Sequence, residues 1–316
     1  MNMSLKIIFA GSSEFAIPSL DALIKSRHKI LAVYTQPDRP AGRGRKQTPT
    51  PVKQFALQHN LPIHQPETLK NKQEQQILYD IHADIMIDVA YGLFLPKEVL
   101  NTFKYGCINV HPSLLPHWRG ASPIQRAILA GNIETGVTVM QVDEGWDTGD
   151  ILKQTKINID VTDTTASMQG KLSKLGAKLV LKVLEDLEQD KLKPIPQDDT
   201  KSCYANKITK QEAQLDWQLS ANELDRMIRA FNPWPVAFTK IDQQVLRIWK
   251  AIPSDTKTDK PPGTIVNIDK NSINVATGKG ILRLLELQIP GGKILSASAM
   301  LNSKKELFKR GKCFHA

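Results

Sequence analysis

The chain has 316 residues, 41% hydrophobic and 23% charged, with a net charge of +10. That balance excludes a disordered chain and is long enough for two domains with their own cores. No apolar run reaches the ~18 residues of a membrane span, and MNMSLKIIFAGSS leads straight into a strand pattern without a signal peptide, so a cytoplasmic protein is expected. Cys107, Cys203 and Cys313 are odd in number with no CxxC pair, which points to neither a disulfide framework nor a zinc site.

Residues 5–10 (LKIIFA), 29–34 (KILAVY), 84–89 (DIMIDV) and 107–110 (CINV) are short apolar runs rich in Ile and Val, and the stretches 14–25 and 71–82 between them have helical spacing. The alternation predicts βαβ units on a parallel, Rossmann-like sheet in an α/β first domain. Another strand is predicted at 137–142 (VTVMQV), and residues 164–189 read as a long amphipathic helix that closes the domain. Residues 190–209 lack apolar periodicity and hold two prolines, as a surface linker does. After a helical stretch at 220–231, the patterns VAFTKI, QVLRIWKAI, GTIVNI, SINVAT and ILRLLELQ follow in quick succession. Strands so closely spaced predict a small β-barrel of the five-stranded OB type, ending in a short helix at 296–303. The expected division is therefore 1–189, a linker at 190–209, and 210–316.

Charge is segregated along the chain. Residues 1–200 carry 23 Lys+Arg against 22 Asp+Glu, and residues 201–316 carry 19 against 10. A near-neutral body with a strongly basic last third suits a polyanionic partner such as nucleic acid. The segment PDRPAGRGRK adds Arg39, Arg43, Arg45 and Lys46 against Asp38 alone, and its two Pro and two Gly read as a mobile loop too irregular for strand or helix. Such a loop can order on a phosphate backbone.

Where CINVH ends, Asn109 and His111 lie two apart, so in a strand both project to one face. The C-terminal end of a parallel strand is where open α/β sheets place ligands. An amide there can donate to an oxygen that becomes negative, and an imidazole can move a proton near neutral pH, a pair suited to nucleophilic attack on an acyl carbon. A strand-end pair that merely satisfies backbone groups would look the same. Downstream, DEGWDTGD at 143–150 lacks the EF-hand order, which disfavours a metal loop. A carboxylate that orients His111 fits better, and spacing leaves Asp143, Asp147 and Asp150 as alternatives.

With these residues in hand, LKIIFAG, QPDRPAGRGRK (36–46), AYGLFLP (90–96), INVHPSLLPHWRGASPIQRAILAG, ETGVTVMQVDEGWDTGDIL and FNPWP (231–235) give a chain that resembles, over nearly its whole length, the formyltransferases that use 10-formyltetrahydrofolate. The resemblance implies that Asn109, His111 and Asp147 are the catalytic set, that 10-formyltetrahydrofolate is the formyl donor and that no metal takes part. It places the folate against Ala90, Tyr91 and Gly92 and against Ser113, Leu114, Leu115 and Pro116. Apolar Phe94, Leu95, Leu114 and Leu115 suit a wall for the pterin and suit ordinary core equally well. Within the family it points to the branch acting on methionyl initiator tRNA. The expected state is a monomer, which the sequence itself does not give. There the loop matching 36–46 contacts the acceptor stem, which singles out Arg43, and the basic barrel holds the tRNA body through candidates Lys207, Arg247, Lys304 and Lys305. Pro112 stands where some tRNA-acting members have Gly, and it removes one N–H.

Other readings explain less. A glycinamide ribonucleotide enzyme needs a phosphate site, yet GSSEF puts Glu14 at the first helix N-terminus, where it repels anions. A single Gly11 rules out a GxGxxG dinucleotide fingerprint. An amino-sugar nucleotide formyltransferase offers no reason for a basic second domain. A non-catalytic RNA-binding protein has no use for all three catalytic residue types.

Overall fold

The computed structural model describes residues 4–41, 44 and 46–315. Two compact units emerge: Met1–Pro123 with Glu134–Asn158 and Gln169–Ala205, and Ile124–Ile133 with Ile159–Met168 and Asn206–Ala316. From the N-terminus the elements are β1 (Lys6–Gly11), α1 (Ile17–Ile24), β2 (Lys29–Tyr34), β3 (Arg39–Ala41), β4 (Lys46–Thr48), α2 (Pro51–Gln58), β5 (Ile63–His64), α3 (Lys72–Asp80), β6 (Ile85–Val89), α4 (Lys97–Leu100) and β7 (Cys107–His111). Then come α5 (Pro123–Leu129), β8 (Glu134–Gln141), β9 (Ile151–Asn158) and α6 (Thr165–Glu188).

The first unit is built on a sheet of order β5-β2-β1-β6-β7-β8-β9. β5, β2, β1, β6 and β7 are parallel, and β8 and β9 continue antiparallel. The chain starts at β1, moves outward through β2 to β5, then returns to β6 on the other side of β1. That reversal opens a crevice at the strand C-termini, where such sheets bind ligands.

One face of this sheet packs Ile8, Ala10, Ala32, Tyr34, Met86 and Cys107 with Leu78 of α3 and Val99 of α4. Because side chains alternate, the next residues along that same face are Asp88 on β6 and Asn109 and His111 on β7. An apolar surface therefore turns polar at its C-terminal edge. Val110 points the other way, toward α6, where a β-carbon on Gly176 would come within 2.7 Å of Val110 Cγ1. The glycine lets the helix lie close, so α6 covers that face and leaves Asn109 and His111 on the other.

The basic segment read as irregular is a hairpin: β3 and β4 pair antiparallel, Arg39 with Thr48 and Ala41 with Lys46. Pairing between the two short strands satisfies backbone groups that a free loop would leave to water. Arg43 and Arg45 lie outside the described residues.

The second unit holds α7 (Ala221–Ala230), β10 (Phe238–Ile241), β11 (Gln244–Ser254), β12 (Ile265–Asp269), β13 (Ser272–Ala276), β14 (Ile281–Gln288), β15 (Leu295–Ser296) and α8 (Ala297–Ser303). α7 begins with a capping box in which Ser220 and Glu223 satisfy each other's backbone N–H groups. The strands form an antiparallel sheet of order β10-β11-β14-β13-β12, with β15 on β14. Leu224 and Ile228 of α7 join Leu246, Ile248, Ile273, Leu282 and Leu284 in its core, each such buried side chain being worth about 1.5–3 kcal/mol. Among the described residues these strands do not close on one another as the five-stranded barrel reading expected. β10 and β12 are its ends, and the C-terminal segment reaches both: His315 bridges Lys240, and Cys313 bridges Thr264 just before β12. Among the described residues no helix is long and apolar enough to cross a membrane.

Candidate active site

Three polar side chains meet at the end of β7. Asn109 Nδ2 donates to Asp147 Oδ1 at 3.4 Å, and His111 Nδ1 lies 3.7 Å from Asp147 Oδ2. His111 is buried, and its other ring nitrogen, Nε2, is 2.9 Å from the carbonyl oxygen of Trp118. A carbonyl only accepts, so Nε2 carries a hydrogen and Nδ1 is left as the nitrogen that gains or gives a proton. It faces the carboxylate that would balance the imidazolium charge.

Of the three acids that spacing left open, Asp147 is the one brought to Asn109 and His111. Asp143 instead holds its own loop, accepting from Gly145 N and Thr148 Oγ1. Asp147 is fixed from both ends: its Oδ2 accepts the Gly120 N–H at 2.8 Å, and its carbonyl accepts Gln197 Nε2 at 2.9 Å. Gln197 also donates to Gly149 O at 2.7 Å and accepts from Nε of the buried Arg119 at 2.9 Å. A second arm of Arg119 reaches Asp199 at 2.8 Å. The stretch 190–209, read as a linker, thus supplies a brace under the Asp147 loop through Gln197 and Asp199, and its Ile195 bridges Ile151. Neither Gln197 nor the Trp118 carbonyl carries a sequence signal: one lies 78 residues from Arg119, and the other is backbone.

Ala90, Trp118 and Asp147 all hold positive φ, at 52°, 62° and 56°. For non-glycine residues this conformation is strained, and three such residues around one strand end mark a site whose geometry is enforced by its surroundings. The loop after β7 is anchored by Thr138, whose buried hydroxyl donates to Ser113 O at 2.7 Å and accepts from Leu115 N at 3.1 Å and from Gln154 Nε2 at 2.9 Å. Thr138→Val keeps the shape but strands those groups. It should lower stability by about 1–3 kcal/mol, read by urea unfolding, and slow any reaction that depends on the loop.

The remaining candidates fall in two places. Ala90 and Gly92 are exposed at the end of β6, both with positive φ. Tyr91 is buried; its N–H donates to Asp88 Oδ1 at 3.2 Å, and its carbonyl accepts from Ser12 Oγ and Gln36 Nε2. Its polar backbone is thereby committed to holding the loop. Ser113 and Leu115 are buried, Leu114 and Pro116 half-buried, and the Leu115–Pro116 peptide is cis. Phe94 is 46% exposed, whereas Leu95 sits in the core below the sheet. Asp88, which no sequence argument singled out, stands on β6 in register with Asn109. Loss of water around it, opposed by the Tyr91 N–H and helped by the Asp147 charge, pushes its carboxyl up to about 7.

Of the basic candidates, Arg39 and Lys46 are exposed on the β3–β4 hairpin of the first unit. In the second unit Lys207, Lys304 and Lys305 are exposed, and Arg247 is half-buried on β11 opposite Gln288.

Comparison with known proteins agrees with this architecture. Residues 5–184 match the family described as formyl transferase, and residues 207–305 match the formyl transferase C-terminal domain. A methionyl-tRNA formyltransferase from Coxiella burnetii is 52% identical over 310 residues, covering 98% of this chain and 99% of that protein. Among solved structures, an N-formyltransferase from Helicobacter canadensis in complex with folinic acid and dTDP-3-aminofucose is 20% identical, with a TM-score of 0.66 over 89% of this chain and 98% of that one. HypX from Aquifex aeolicus in complex with tetrahydrofolic acid is 16% identical, with a TM-score of 0.65 over 99% of this chain. The chain spans about half the length of HypX, 51%. These two share the fold. With more than half its residues inside one family model and an end-to-end relative at this identity, the chain belongs to the formyl transferase family.

Proposed function

We infer that the chain transfers the formyl group of 10-formyltetrahydrofolate to the α-amine of methionyl initiator tRNA, for translation initiation. The observation that carries this reading is the Asn109, His111 and Asp147 cluster, in a chain matched end to end by a relative named for that activity. The exposed, positive-φ backbone of Ala90 and Gly92 beside that cluster fits a flat ring with polar edges, so the folate sits there and against the Ser113, Leu114, Leu115 and Pro116 loop. The formyl donor supplies the acyl carbon; the chain's own residues handle charge and protons. Asn109 donates to the formyl oxygen as it becomes an oxyanion. His111 Nδ1 takes the proton released by the attacking amine and returns it to the departing folate nitrogen, while Trp118 O holds Nε2–H and fixes the ring. Asp147 stabilises the imidazolium between those two transfers.

On this reading residues 1–189 are the catalytic domain, 190–209 join it to the rest, and 210–316 form an OB-like, basic tRNA-binding domain. The C-terminal segment that reaches both β10 and the residue before β12 supports the OB-like arrangement. Arg39, Arg43, Arg45 and Lys46 would meet the acceptor end, and Lys207, Arg247, Lys304 and Lys305 the tRNA body. Replacing Lys304 and Lys305 together by alanine should weaken tRNA binding and flatten its log–log salt dependence by about one to two units, as filter binding at several salt concentrations would read. The chain acts as a cytoplasmic monomer. The acceptor is tested by offering labelled 10-formyltetrahydrofolate with methionyl initiator tRNA and, separately, with a dTDP-linked amino sugar. Label on the tRNA alone supports the reading, and label on the sugar alone overturns it.

A further inference from the structure

The chemistry above leaves Asp88 unused, although it stands within the site. It lies on β6 directly beside Asn109 on β7, on the same sheet face, and neighbouring strands are about 4.8 Å apart. One carboxyl oxygen accepts the Tyr91 N–H at 3.2 Å. Among the described residues no group donates to the other. Asp88 is half-buried, and the charge of a second carboxylate at Asp147 acts on it, so its anion is less favoured than one free in water.

We propose that Asp88 is a positioning residue for formyl transfer: as a neutral acid it donates to the side-chain carbonyl of Asn109 and keeps the Asn109 amide nitrogen turned toward the formyl oxygen. The inference rests on the reading of Asn109 as the oxyanion donor. A protonated carboxyl has one O–H to give, whereas a carboxylate only accepts. Asn109 Nδ2 has two hydrogens, one of them directed at Asp147 Oδ1. An ionised Asp88 competes for the other, which the oxyanion needs, and sets a second negative charge beside the developing one. Transfer is therefore faster with Asp88 neutral.

The ionisable groups that act on Asp88 or feel its charge are Tyr91 from the loop after β6, Cys107 on β7 and Asp147 between β8 and β9, with His111 two residues beyond Asn109 on the same face of β7. Tyr34 of β2 and Glu74 of α3 act on Tyr91 from behind. Burial pushes the Tyr34 and Tyr91 phenols and the Cys107 thiol upward, away from the neutral range. Asp88 itself is moved into that range by the same loss of water.

The test is single-turnover formyl transfer to methionyl initiator tRNA from about pH 5.5 to 9 by wild type, Asp88→Asn, Asp88→Leu and Asn109→Ala. An amide at 88 donates but cannot ionise. The ratio of wild-type to Asp88→Asn rates should fall about tenfold between about pH 6 and 8, since ionisations common to both proteins cancel in it. Asp88→Leu, with no donor, should be several-fold slower than Asp88→Asn at every pH. A flat ratio, or equal rates for the Asn and Leu variants, overturns the assignment of Asp88 if Asn109→Ala is inactive. If Asn109→Ala keeps the wild-type rate, the oxyanion reading itself has failed.

Discussion

Alanine at His111 slows formyl transfer by about 10²- to 10⁴-fold, the range for removing a positioned general acid and base. Three observations set that expectation. The ring is buried, its Nε2–H is spent on the Trp118 carbonyl, and its Nδ1 faces the Asp147 carboxylate at 3.7 Å. Water admitted by the smaller side chain has no such carboxylate partner and no fixed orientation. Substrate binding, which on the proposed reading uses the β3–β4 hairpin and the loop after β7, should change little. Rapid-quench transfer at saturating tRNA and folate checks the loss, and a rate within about threefold of wild type would remove His111 from the proton path.

A β-carbon at Gly149 would overlap the carbonyl oxygen of Gln141, which is backbone at the end of β8 and cannot swing aside. Gly149→Ala must therefore shift the loop that carries Asp147. That loop is held by Gln197 through the carbonyls of both Asp147 and Gly149, so moving one releases the other. Overpacking of this kind costs about 1–3 kcal/mol, and displacing a charged group by about 1 Å can slow a reaction by about 10²-fold. Urea unfolding should register the first effect and single-turnover transfer the second. Wild-type stability together with wild-type rate would mean that the loop does not place Asp147.

Elements that obey a strong period were legible. β1, β2, β6 and β7 read as Ile- and Val-rich runs because both faces of a parallel sheet are covered. The pairing of Asn109 with His111 followed from strand alternation alone. Asp147 needed resemblance, because three aspartates in eight residues look alike until the fold shows that Asp143 caps its own loop. Asp88 sat unnoticed in DIMIDV: a lone acid in a buried run gains meaning only from its register with Asn109. β9 escaped notice since ILKQTKIN alternates as an edge strand with Lys and Gln on its open face. The hairpin β3–β4 was hidden by Gly and Pro, which mark turns without saying whether the flanks pair. Arg119 and Gln197 are braces formed by long-range contact, and no local pattern encodes them.

The central claim is that formyl transfer to charged tRNA takes place at the end of β7 with Asn109 as the oxyanion donor. Its most direct test is the single-turnover rate of labelled formyl transfer from 10-formyltetrahydrofolate to methionyl initiator tRNA by wild type and Asn109→Ala, both saturated with substrates. Rapid transfer by wild type and a rate about 10²- to 10³-fold lower in the variant is the expected result. Transfer by Asn109→Ala at the wild-type rate, or none to charged tRNA by folate-binding wild type, would contradict it.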